Sequence, residues 1–91
     1  MKEHHPSSSE KIRVERVQTG VRIEKRMLKV LKGLAEYLEI SLGDLLEGIV
    51  LHAMEGKAPP FNQDILQRIE ALKKIYDMDY DSGAAHHFEE V

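Results

Sequence analysis

The sequence predicts a mainly α fold: one short strand shared between two copies of the chain, two core helices behind it, and an extra C-terminal helix. Three observations carry this expectation. Residues 18–54, QTGVRIEKRMLKVLKGLAEYLEISLGDLLEGIVLHAM, read as a period-two segment followed by two segments of helical period. The turn between the two helices carries a sharp start signal at Ser41. The strand has no second strand in its own chain, so its hydrogen-bonding edges call for a partner chain.

Ninety-one residues make one small domain, near the size at which a single core only just suffices. Hydrophobic residues are 42% of the chain, but aromatics are only 5% and Trp is absent, a composition that favours extra burial through oligomerisation. Cysteine is absent, which removes disulfides and thiolate metal sites. Met1–Glu10 has no apolar core of a signal peptide and no apolar run reaches membrane-spanning length, so a cytoplasmic protein with no membrane partner is expected. The net charge of −3 is unevenly distributed. Residues 1–32 hold nine Lys/Arg against four Glu, a balance of +5, and residues 33–91 hold four Lys/Arg against twelve acids, a balance of −8. A basic front half is what a surface facing a polyanion requires.

Taken in order, residues 1–16 form a polar and basic arm, expected to be flexible, in which His4 and His5 have no second ligand pair at helical spacing. Ile12 and Val14 share one face, and the alternation then changes phase to Val17, Thr19, Val21 and Ile23, so the arm ends and a strand runs over about 17–23, weakened by Gly20. Over Lys25–Glu39, Met27, Leu31, Leu34 and Leu38 form a helical stripe widened by Leu28 and Ala35, with Lys25, Lys29, Lys32 and Glu36 on the solvated side. Gly33 and Gly48 each imply close approach of another helix. Ser41 caps the next helix with Asp44 three residues on, and Ile40 can staple onto Leu45. Leu42, Leu45, Leu46, Ile49, Val50, Ala53 and Met54 cover more than one face of it, more apolar surface than one neighbouring helix hides. Gly56 ends it and Pro59-Pro60 block continuation. Asn62 caps a third helix over about 62–76, with Phe61 and Leu66 placed as a staple, and an acidic tail follows.

In its order of strand, helix, S-x-x-D turn and helix, the chain resembles the ribbon-helix-helix family of DNA-binding repressors and antitoxins. VRIEKRMLKVLKGLAEYL matches the strand and first helix, and ISLGDLLEGIVLHAM matches the second. The resemblance covers residues 18–54. It implies a dimerisation and DNA-binding domain over 17–56, with 57–91 an appendage, and an antiparallel two-stranded ribbon, one strand from each chain, inserted into the major groove. Val21 and Ile23 would then lie on the helices, joining Leu31, Leu34, Leu45 and Ile49 in the dimer core, while Gln18, Gly20 and Arg22 face the bases. Arg can bond guanine, and Gln adenine, in bidentate fashion. Lys25 and Arg26, the Ser41 hydroxyl and the backbone N–H groups of Leu42 and Gly43 would hold phosphates. Gly20 stands where the family usually carries a base-contacting side chain, which leaves discrimination to Gln18 and Arg22 or to Arg13 and Arg16.

The implied function is a dimeric, sequence-specific DNA-binding protein, a transcriptional regulator or antitoxin-like repressor, with double-stranded DNA and a second copy as partners. The alternative is a protein-interaction module of the same fold that no longer binds DNA, using its C-terminal helix on a protein partner. No cofactor is expected, and no metal. Asp77, Asp79 and Asp81 begin like a calcium loop, but Ser82 and Phe88 stand where that loop needs Gly and Glu. His52 reads as a rim or core residue. No nucleophile, base and acid fall into a catalytic motif, so no enzyme is expected.

Overall fold

A computed structural model describes residues 11–91; the polar tail Met1–Glu10, with its His pair, lies outside them. Three helices follow an extended arm: α1 over Lys25–Leu38, α2 over Leu42–Met54 and α3 over Gln63–Ile75, with a single 3-10 turn at Ser82–Ala84. Among the described residues there is no strand. The fold is mainly α, but the expected strand over 17–23, and the ribbon-helix-helix fold that pairs it across a dimer, are corrected: the segment is extended backbone that joins no sheet. A period-two pattern records which side chains share a face, whereas a strand requires a neighbouring backbone to bond to. Val17 and Val21 remain 78% and 75% exposed, so the alternation finds nothing to bury against.

Each helix starts where a side chain accepts from the backbone N–H groups that the first turn leaves free. At α1 the cap is Glu24, whose carboxylate accepts from the N–H groups of Arg26 (3.0 Å) and Met27 (3.2 Å). At α2 Ser41 Oγ accepts from Asp44 N–H at 3.0 Å. At α3 Asn62 Oδ1 accepts from Ile65 N–H at 2.9 Å. Glu39 closes α1 in the left-handed region (φ 58°), with the Ile40 N–H returning to the Ala35 carbonyl at 3.1 Å. Gly56 takes the same conformation after α2 (φ 70°), where it costs nothing sterically.

The helices α2 and α3 each pack on α1, while their backbones do not approach one another. Leu34, Ala35 and Leu45 form the buried centre, with Leu31, Leu38, Ile49, Phe61, Ile65, Ile69 and Leu72 packed against it. Gly33 provides the close approach of α1 to α3: a Cβ there would stand 2.9 Å from Leu72 Cδ2. Two cation–π contacts join the same helices, Arg68 over Tyr37 at 4.2 Å and Lys29 over the helix-capping Tyr76 at 5.7 Å. The close approach expected at Gly48 is not found, since nothing lies within 4 Å of where its Cβ would stand. Instead α2 turns a broad apolar side outward, with Leu51 and Met54 63% and 79% exposed and Val50 nearly half so. No helix among the described residues is long and apolar enough to cross a membrane.

Candidate nucleic-acid interface

The residues assigned to base reading, Gln18, Gly20 and Arg22, all lie on the exposed arm. Among the described residues, ion pairs fasten the arm at two places. Arg16 meets Glu47 of α2 through two parallel bonds, Nε to Oε2 at 3.0 Å and Nη2 to Oε1 at 2.9 Å, a fork that fits a carboxylate. Each partner favours the other's charged form, and the Glu47 carboxyl is held below its usual range chiefly by the hydrogen bond from Arg16. Six residues on, Arg22 Nη2 stands 2.6 Å from Glu90 Oε1. Between these ties Gly20 has open space where a Cβ would be.

Lys25 is exposed at the first position of α1, and Arg26 beside it is already engaged. Its Nη1 donates to the Asp77 carbonyl at 3.1 Å and to Asp79 Oδ1 at 3.2 Å, its Nε donates to Glu24 Oε2 at 3.3 Å, and its guanidinium lies 5.3 Å from the centre of the Tyr80 ring. Tyr80 in turn donates its hydroxyl to Glu24 Oε1. That hydrogen bond, with those from the Arg26 and Met27 backbone, holds the Glu24 carboxyl down at about 2. Burial and the same bond push the Tyr80 hydroxyl up to about 12. Phe88 meets the Tyr80 ring edge-on, with centroids 5.1 Å apart and planes at 76°.

Ser41, Leu42 and Gly43 begin α2, beyond the far end of α1 from Arg26. Fourteen residues at 1.5 Å each make α1 about 21 Å long. One chain therefore does not bring these two sets of phosphate residues together. The Ser41 hydroxyl oxygen accepts from Asp44 N–H, and the Asp44 carboxylate in the first turn disfavours a second anion there. Of the residues assigned to a dimer core, Leu34 and Leu45 are buried in the single chain's own core, Leu31 and Ile49 pack against it, Ile23 is half-buried and Val21 is exposed. In the single chain Val21 lies on the surface of the arm, 75% exposed.

Sequence reasoning missed Glu24 as the cap of α1 and the seat of the C-terminal segment upon it. The available signal was two aromatics, Tyr80 and Phe88, set among acids in a stretch otherwise read as a tail. His52 Nδ1 lies 2.8 Å from the Gly48 carbonyl one turn back, a local bond of the helix rim. Compared with protein-family models, curated proteins and solved structures, the chain matches none.

Proposed function

We propose that this chain is a homodimeric DNA-binding protein, a transcriptional regulator or antitoxin-like repressor, that meets duplex DNA through its basic arm and the start of α1. The observation that supports it is a concentration of cations. Residues 11–32 hold eight Lys/Arg against Glu15 and Glu24, a balance of +6, on an extended exposed arm and the outer side of one helix. Phosphate neutralisation supplies most of the affinity of such surfaces. An extended arm bearing Arg13, Arg16 and Arg22 suits a groove, where Arg side chains meet base edges and the narrow minor groove's negative potential. The contact made this way needs no paired ribbon.

The dimer is supported by apolar surface that the single chain leaves open: Val50, Leu51 and Met54 on α2, with Val17 and Val21 on the arm. Two copies about a two-fold axis would offer two arms to a palindromic site. The alternative, a protein-interaction module, is favoured by the carboxylate partners that Arg22 and Arg26 already have and by the bare Gly20.

Fluorescence anisotropy with a labelled duplex of random sequence, at about 50 and about 200 mM salt, separates the two readings. DNA binding predicts a loss of affinity of about a hundredfold or more between those concentrations for a dimer neutralising roughly five phosphates. It also predicts weaker binding and a shallower salt slope for Arg13→Ala/Lys25→Ala. Absence of binding to any duplex at the lower salt defeats the DNA reading and leaves the interaction module.

A further inference from the structure

We infer that the acidic C-terminal segment, residues 77–91, is an internal competitor of DNA that occupies Arg22 and Arg26 until phosphates displace it. The inference rests on the DNA-binding reading and adds a regulation to it. The segment contains Asp77, Asp79, Asp81, Glu89 and Glu90 and no Lys or Arg. It returns across the start of α1 and places two carboxylates and one carbonyl on the two arginines nearest the arm–helix junction. Glu90 stands 2.6 Å from Arg22, Asp79 stands 3.2 Å from Arg26, and the Asp77 carbonyl accepts from Arg26 at 3.1 Å. Carboxylate and phosphate oxygens ask the same geometry of a guanidinium, so each pair holds a place that a phosphate oxygen would take.

The seat is specific and the charge pairing is reversible, which is what a competitor requires. The segment's aromatic side chains, Tyr80 and Phe88, join Met27 of α1 and Ile69 of α3 in lining an apolar hollow of about 280 Å³. The Tyr80 hydroxyl binds the capping carboxylate of α1, and Asp81 Oδ1 accepts from Gly83 N–H at 2.9 Å to turn the chain back toward Arg22. The Arg22–Glu90 pair itself is open to solvent, with side chains 83% and 68% exposed, so each such contact is weak and screened by salt. A duplex offering several phosphates at once outcompetes it, while an isolated anion does not.

The test is a mutant cycle in the full chain, read by the anisotropy of a labelled random-sequence duplex at about 50 and about 200 mM salt. Asp79→Asn/Glu90→Gln removes the competing charges and keeps Tyr80 and Phe88. It is expected to bind about three- to tenfold more tightly than wild type, with a log–log salt slope steeper by roughly two to four as the two arginines of each protomer turn to phosphates. Glu90→Gln made alone and again in an Arg22→Ala background isolates the exposed pair, whose loss leaves the helical core untouched. The gain from Glu90→Gln should disappear when Arg22 is absent. Equal affinity and slope for wild type and the neutralised variant would overturn the competition and leave DNA binding standing. A Glu90→Gln gain that persists without Arg22 would overturn it too, because general charge then explains the effect. If neither wild type nor variant binds at the lower salt, the DNA reading fails and the competition falls with it.

Discussion

Glu24 joins the start of α1 to the C-terminal segment through one carboxylate. It caps α1, accepts the Tyr80 hydroxyl and lies against the Arg26 guanidinium. Its folded pKa of about 2 lies below the 4.5 of an unperturbed Glu, so the folded state binds its proton less readily than the unfolded chain does. The stability it contributes is therefore present above about 4.5 and is lost as pH falls toward 2. Tyr80, held at about 12 against a usual 10, works in the opposite direction: its contribution is whole below about 10 and is lost as pH rises through 12. Tyr80→Phe removes the hydrogen bond that does most to hold the Glu24 carboxyl down. Its acid unfolding, followed by circular dichroism, should begin at higher pH than that of wild type, with a stability loss at neutral pH on the order of 1 kcal/mol. Coincident acid limbs for the two proteins would refute this account of Glu24. Nothing in the local sequence announces the cap. Glu is an uncommon capping residue, and its partner Tyr80 stands 56 residues away, beyond the reach of any spacing rule.

Between helices, a single missing Cβ sets the spacing of α1 and α3. At Gly33 a methyl group would stand 2.9 Å from one Leu72 methyl, the mobile end of a side chain. Gly33→Ala should be close to neutral, because a helix-propensity gain of about 1 kcal/mol offsets the displacement of Leu72. Gly33→Leu has no such escape and should cost about 1–3 kcal/mol in urea unfolding. A Leu variant as stable as wild type would show that α3 is not seated there. The helices themselves were legible, because Ser41, Asn62 and Gly56 act within a turn of where they stand. Val30 is buried although the apolar stripe of α1 runs through Leu31, because Val30 too stands three and four residues from Met27 and Leu34. The strand was misread for a different reason. Alternation over Val17, Thr19, Val21 and Ile23 describes two faces, and no local signal says whether any backbone will lie alongside. The C-terminal segment escaped because its ties to Glu24, Arg22 and Arg26 all run to residues more than fifty positions away.

As a whole, the chain buries little for its apolar content. Among the described residues only Val30, Leu34, Ala35 and Leu45 are buried, while Leu51, Met54, Val17 and Val21 are more than half exposed. Apolar area removed from water stabilises by roughly 25 cal/mol per Å², so an uncovered side of α2 is a strong incentive to associate. The proposed dimer predicts a sedimentation mass twice the chain's 10.4 kDa at micromolar concentration. Leu51→Asp/Met54→Asp should return it to the single-chain mass while far-ultraviolet circular dichroism still reports folded helices. A wild-type chain sedimenting as a monomer would rule the dimer out. The cations of the arm stand in the sequence as a block of charge. Their state of engagement is not legible there, since Arg16 is held by an acid of α2 and Arg22 by one of the C-terminal segment.

Those two ties give the arm a different dependence on its surroundings from that of the helices. The helical body is held by the burial of Leu34, Ala35 and Leu45 and their neighbours, which added salt does not weaken. The course of the arm is set by Arg16 on Glu47 and Arg22 on Glu90, two solvent-facing charge pairs that mobile ions screen over about 10 Å at 0.1 M. Raising ionic strength therefore unmoors residues 11–23 and leaves the three helices in place, so the medium governs where this arm lies.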